Sequence, residues 1–156
     1  MNMRADPRSM VAPTRPDPVD TIVAFFEALT PDSLAGLAFV YTPDARFKDP
    51  FHAVQGHSAI HRVYAHMFEA LDAPHFVVTA RVRQGSQCVL MWEFHFHFKG
   101  RRSAGLQTVH GCSHLQLTPC GRIAVHRDYW DAAEELYEKI PGLGVLMRWL
   151  KRRAAA

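Results

Sequence analysis

From Leu90 to Phe98 the chain alternates apolar and polar side chains with almost no interruption. A side-chain period of two belongs to an extended strand, so Leu90, Trp92, Phe94, Phe96 and Phe98 share one face while Met91, Glu93, His95 and His97 share the other. A face carrying so many rings belongs inside a fold. Three further segments, residues 75–83, 106–117 and 122–130, have strand-like composition and are separated from this one by Gly85, by the 100–105 stretch with Gly100 and Gly105, and by Pro119 to Gly121. The spacing predicts a four-strand antiparallel meander.

Helical signals precede the meander. Asp17-Pro18 with Asp20 reads as an N-cap, a proline in the first turn and an early acid. The helix they open runs to about Leu29, with Ile22, Phe25, Phe26 and Leu29 on its apolar face. Thr30-Pro31-Asp32 starts a second helix carrying Leu34, Leu37 and Tyr41. Thr42-Pro43-Asp44 is read as a turn, residues 45–48 as a short strand, and Asp49-Pro50 as its extended exit. From Gly56, the positions Ile60, Val63, Tyr64, Met67, Phe68 and Leu71 recur at steps of three and four, the clearest helical period in the chain.

At 156 residues, 48% hydrophobic and 21% charged, the chain suits one globular domain with one core. Residues 17–131 form that domain, after a flexible arm over 1–16 rich in Pro, Asp and Arg, and before a helical extension over 132–156. The net charge of +3 is carried by Arg148, Lys151, Arg152 and Arg153 in the extension, which leaves the body near neutral and argues against nucleic acid as a partner. Leu143, Leu146, Met147, Trp149 and Leu150 make that extension amphipathic. Packing on its own domain is the expected arrangement, ahead of contact with an anionic membrane or cover for a pocket mouth. No apolar run reaches membrane-spanning length, and the first eighteen residues carry acids and prolines where a secretion signal needs an apolar stretch. A cytoplasmic protein with reduced Cys88, Cys112 and Cys120 is expected.

Tyr41-Thr42-Pro43-Asp44-Ala45 leading to Lys48-Asp49-Pro50, Gly56 opening the third helix, and Gly121-Arg122-Ile123 leading to Asp128-Tyr129-Trp130-Asp131 together resemble the SnoaL-like and ketosteroid-isomerase-like branch of the nuclear transport factor two-like superfamily. The resemblance spans roughly residues 18–131. It implies an α+β, cystatin-like cone: three N-terminal helices packed in a curved antiparallel sheet, with short C-terminal helices. Fold is what it specifies, because such folds host isomerases, cyclases, dehydratases, epoxide hydrolases and members that catalyse nothing. The family register turns Val109, Gly111, Ser113 and Leu115 inward from one strand and Ala124, His126, Asp128 and Trp130 from the last. Asp49, Asp128, His126 and Ser113 then meet Phe26, Leu90, Trp92, Phe94, Phe96 and Trp130 around a mostly apolar pocket for a small apolar ligand.

An apolar cavity strengthens a carboxylate as a base for a proton beside a carbonyl. Asp49 falls on the position that looks like the base of ketosteroid isomerases, a family whose Asp base and oxyanion hole are an established example of such tuning. The oxyanion-hole positions depart from that pattern, since the tyrosine falls on Phe26 and the acid on Ser113. Losing one oxyanion donor costs about 2.7–4 kcal/mol of transition-state stabilisation, so Trp130 or His126 would have to assist Ser113. Against this stands the reading of Asp49 as a cap for the turn at Pro50. Asp128 beside Arg127 resembles the last-strand segment of limonene-epoxide hydrolases, but their Arg-x-Asp of the third strand is replaced here by Phe94-His95-Phe96. For Asp128 the alternative is a carboxylate tied to His126 or to backbone.

Two function classes follow: a cofactor-free isomerase, cyclase or lyase using Asp49, with His126 and Asp128 assisting, and a noncatalytic module that holds a hydrophobic ligand. Neither a phosphate-binding glycine loop nor a nucleophile elbow occurs, so no cofactor is expected. His95 and His97 face the same way as His110 and His114, yet they read as surface or interface residues and no metal is expected. His57 and His61, one helical turn apart, are expected in solvent. Met91, Cys112, Ile123, Val125 and Tyr129 are placed near the outer sheet face, where a homodimer is expected.

Overall fold

A computed structural model describes residues 17–100 and 105–132, which excludes the expected arm over 1–16 and the extension beyond Ala132. Helix α1 (Pro18–Glu27) starts where the sequence signals it, with the Asp17 carboxylate accepting from the Val19 N–H at 3.0 Å. A 3₁₀ turn (Asp32–Gly36) and the single-turn helix α2 (Leu37–Val40) follow, then strands β1 (Tyr41–Lys48) and β2 (Ala53–Gln55). Helix α3 (His57–Ala70) leads into β3 (Leu71–Gln84), β4 (Gln87–Phe98), β5 (Gln107–Leu117) and β6 (Ile123–Tyr129). The strands form one six-stranded sheet in the order β2-β1-β6-β5-β4-β3.

The sheet is mixed, not antiparallel throughout. β3, β4, β5 and β6 form the expected antiparallel meander, but β1 joins β6 in parallel and carries β2 on its outer edge. Tyr41 is not on a second helical face: it has extended backbone and opens β1. Thr42-Pro43-Asp44 is part of that strand, at the register shift between Tyr41 and Arg46, rather than a turn. A proline favours extended geometry before it, and a bulge absorbs the ladder bond it cannot donate. β3 begins at Leu71, four residues before the expected start, because the break at Ala73-Pro74 is a bulge between Asp72 and His75 that pairing bridges.

The core has two parts. Ile22, Phe26, Leu37, Tyr41, Phe47, Ile60, Tyr64, Leu90, Leu115 and Ile123 fill the space between the helices and the concave sheet. Ile123 is therefore not on the outer face. The β5–β6 register shifts between Gln116 and Leu117, so that Leu117 pairs with Ile123 and Ala124 is the extra residue, which turns both Ile123 and His126 inward. Trp92, Phe96 and Val109 form a second buried group, flanked by Leu71, Phe76, Phe94, Phe98 and Trp130. At the sheet edge, the Glu27 carboxylate accepts from the Val78 N–H at 2.9 Å, and Asp17 and Asp20 pair with Arg83 and Arg81, tying α1 to β3.

His57 is half-buried, with Nε2 3.1 Å from the Tyr41 carbonyl, so it is not the solvent-facing residue expected, whereas His61 is exposed. The three cysteines are unpaired thiols. Among the described residues no helix is long and apolar enough to cross a membrane.

Candidate active site

The alternation along β4 builds the site. Its inward side chains Trp92, Phe94, Phe96 and Phe98 form one wall of a cavity of about 280 Å³, and Phe47, Phe51, Tyr64, Phe76 and Trp130 bring further rings to it from β1, its following loop, α3, β3 and the end of β6. Phe76 stacks on Phe94 at a centroid distance of 4.5 Å and meets Trp92 edge-on at 5.7 Å, while Phe51 meets Trp130 edge-on at 5.4 Å. Such edge-to-face contacts fix ring orientation beyond simple burial. The carboxylates in this lining are Asp49 and Asp128. Val63, Met67, Ala70, Leu71 and Val109 complete the apolar surface, with His52 and His66 as its histidines.

A second hollow of about 20 Å³ lies deeper, bounded by Phe26, Leu90, Ser113, Leu115 and His126. Tyr64, Phe76, Trp92 and Asp128 border both spaces. The expected residues are thus divided. Asp49, Trp92, Phe94, Phe96, Trp130 and Asp128 line the main cavity, whereas Phe26, Leu90, Ser113 and His126 sit behind it.

Behind the cavity runs a buried chain of polar groups. Trp92 Nε1–H donates to Ser113 Oγ at 2.9 Å, and Ser113 Oγ donates to Asp128 Oδ1 at 2.5 Å. His126 Nε2 is 2.8 Å from the same Oδ1 and 3.1 Å from Ser113 Oγ. On its other side, His126 Nδ1 is 2.5 Å from the Tyr41 hydroxyl, which is 3.4 Å from that of Tyr64. With the imidazole neutral, one hydrogen arrangement satisfies every member: Nε2–H donates to the carboxylate, Tyr41 donates to Nδ1, and Tyr64 donates to Tyr41. The His126 ring is 4% exposed, stacked on Tyr41 at 5.9 Å and edged by Phe26 and Phe47, so its orientation is fixed by packing as well as bonding. Burial first, and the Asp128 charge among the lesser causes, hold both tyrosines well above the ordinary phenol range.

Asp49 has a different setting. Its Oδ1 accepts from the Phe51 and His52 backbone N–H groups at 2.7 and 2.5 Å, and His52 Nδ1 lies 3.0 Å from Oδ1 and 2.9 Å from Oδ2. It therefore caps the turn after Pro50 while also lining the cavity. The four outward histidines do not meet as one group: His95 and His110 flank Glu93 at 3.2 and 3.9 Å, with His95 also bonded to Thr108, while His97 contacts the Gly105 carbonyl and His114 contacts Gln87. Among the described residues no three His, Cys, Asp or Glu side chains group as a metal set.

Sequence reasoning missed Tyr41 and Tyr64 as members of the polar chain, having counted both as apolar helix positions. The available signal was the hydroxyl itself, since a buried tyrosine needs a hydrogen-bond partner. It also missed His52, whose partner Asp49 is only three residues away.

The family model for the SnoaL-like domain matches residues 22–126, from the middle of α1 to His126 in β6. The protein belongs to the SnoaL-like family. Solved structures share the fold of this SnoaL-like domain at low identity. A protein with a ketosteroid-isomerase-like fold from Catenulispora acidiphila DSM 44928, in complex with trimethylamine, is 19% identical with a TM-score of 0.65, covering 79% of this chain and 92% of that one. A protein from Jannaschia sp. CCS1, provisionally named a SnoaL-like polyketide cyclase, is 17% identical with a TM-score of 0.65, covering 79% and 91%. TerC, co-crystallised with polyporic acid, is 16% identical with a TM-score of 0.65, covering 76% and 94%. No curated protein sequence matches the SnoaL-like chain.

Proposed function

We propose that this SnoaL-like domain binds a small, largely apolar carbonyl compound in its ring-walled cavity and transfers a proton on it, with Asp128 as the base. The observation that carries the reading is the asymmetric bonding of Asp128: Ser113 and His126 both bond Oδ1, and the side chain, 15% exposed, borders the cavity. A carboxylate held by one oxygen against a fixed imidazole has its other oxygen for the substrate. Removal of a proton beside a carbonyl moves that proton to a carboxylate and leaves an enolate oxygen for a hydrogen-bond donor to hold, and the reading calls on no cofactor for either part. Asp49, first in line from the sequence, becomes the second acid–base group at this cavity, working with His52. Ser113 and Trp92 support Asp128 from behind, while Phe94, Phe96 and Trp130 hold the apolar body of the ligand. The small organic molecules held by two structural relatives, trimethylamine and polyporic acid, are consistent with a ligand pocket here.

The test is solvent-deuterium incorporation. In D₂O, the protein should accelerate exchange of the protons next to the carbonyl in at least one of a panel of small aryl and alicyclic ketones, followed by proton NMR. Asp128→Asn should lower that rate by about 10²–10⁴-fold, the usual contribution of a positioned base. An Asp128→Asn protein as fast as wild type would remove Asp128 from the role.

The capping of Asp49 favours one second reading, a noncatalytic ligand carrier in which the carboxylates orient a bound molecule. Saturable ketone binding with no exchange above the buffer rate would establish it over the first.

A further inference from the structure

We infer that the cavity selects a small organic cation, a tertiary or quaternary ammonium on an apolar body, over neutral or anionic ligands of the same shape. This deepens the reading above and rests on the same cavity. A substrate satisfying both would be a carbonyl compound that also bears an amine.

The inference comes from what the wall contains. Rings line it from several directions, and a ring face presents the negative side of its quadrupole to whatever sits against it. The carboxylates of Asp49 and Asp128, 14% and 15% exposed, border the same space. No Lys or Arg lies among the described lining residues. Lys48 and Arg127 each stand one position along the chain from one of these carboxylates, and Lys99, next to Phe98, is bonded through Nζ to the Glu69 carbonyl. Lys48 and Arg127 border an outer groove that Asp49, Asp128 and Trp130 line as well, although neither lines the cavity itself, and the Arg127 guanidinium sits 4.7 Å over the Tyr129 ring. The remaining titratable groups of the lining are Tyr64, His52 and His66, and His52 is already paired with Asp49.

Two carboxylates facing a ring-walled space make its potential negative, and the low-polarity walls screen that potential less than water does. An anionic ligand meets repulsion from both acids. A neutral one leaves them without a counter-charge on the ligand side. An ammonium meets ring faces and carboxylate oxygens together, the combination that recognises methylated amines. Asp128 suits the part because the hydrogen bonds it makes with Ser113 and His126 both fall on Oδ1.

The test compares benzyltrimethylammonium with two ligands of matched body, the uncharged isostere neopentylbenzene and the anion phenylacetate. Each is titrated into the full chain at neutral pH and fixed ionic strength, with quenching of tryptophan fluorescence as the readout. The ammonium should bind at least about tenfold more tightly than either comparator, as expected when a desolvated cation–π contact adds to charge attraction. Asp128→Asn and Asp49→Asn should each narrow that gap. Equal or weaker binding of the cation in the wild-type protein, or a gap untouched in both variants, overturns the inference. The wild-type comparison needs no variant to fold. Ketone exchange without cation preference sinks this inference and leaves the proton-transfer reading standing. Cation preference without exchange does the reverse.

Discussion

Tyr41 and Tyr64 place two phenol hydroxyls in the interior, and their shared chain to His126 makes them sensitive to alkali. Both are held above the ordinary tyrosine value, chiefly by burial, so the folded state favours the neutral phenol. The unfolded chain ionises near the ordinary value of about 10, and the folded chain only above it. Stability contributed by the two phenols is therefore fully present below about pH 10 and lost as pH rises further. Tyr64→Phe should cost about 1 kcal/mol at neutral pH, the net worth of one hydrogen bond, and its melting temperature should fall less steeply than wild type above about pH 10. Parallel melting curves across that range would show that Tyr64 takes no part in the alkaline loss. The sequence put Asp49, Asp128 and His126 around one pocket, and in the structure the two carboxylates line the main cavity while His126 sits behind it. The difference in their hydrogen bonding was not legible from the sequence. It depends on which oxygen of Asp128 the Ser113 and His126 bonds occupy, and on backbone N–H groups that bend back to Asp49, and neither is written in residue spacing.

At the scale of elements, the alternation in β4 was fully legible because a period of two admits one assignment of faces. What it did not reveal is how β5 accommodates the largest of the inward rings. A Cβ on Gly111 would stand 2.3 Å from Trp92 Cη2, so the absent side chain is the space in which the indole lies flat and reaches Ser113. Gly111→Ala should destabilise the fold by about 1–3 kcal/mol through overpacking and shift Trp92 emission, both measurable in a urea titration followed by fluorescence. An unchanged midpoint and spectrum would mean that the indole has another place to go. The helices α1 and α3 were legible from capping and period, while β1 was read only over its last four residues, 45–48, and β2 was missed. Their pairing is non-local: the parallel ladder between β1 and β6 joins residues about eighty positions apart, and local propensity carries no trace of it.

For the whole molecule, the family and the α+β class followed from element order, and the sheet differed in its parallel β1–β6 pair, in the added strand β2 and in the earlier starts of β1 and β3. The outer sheet face carries Met91, Cys112 and Tyr129 in one cross-strand row, with Met91 44% and Tyr129 45% exposed. A homodimer through that face remains the proposed assembly even though Ile123, once counted toward it, belongs to the core. Light scattering at micromolar concentration should give twice the chain mass, and a monomer mass would discard the proposal. In the interior, the proposed ligand enters the space between the rings of β4 and the carboxylates, rather than any other part of the surface. Indole N–H resonances report on it directly, because Trp92 and Trp130 both line that space. Titration of the ¹⁵N-labelled protein with a ketone that it exchanges should move both resonances along one saturable curve. A ketone that binds and leaves both in place would contradict the account.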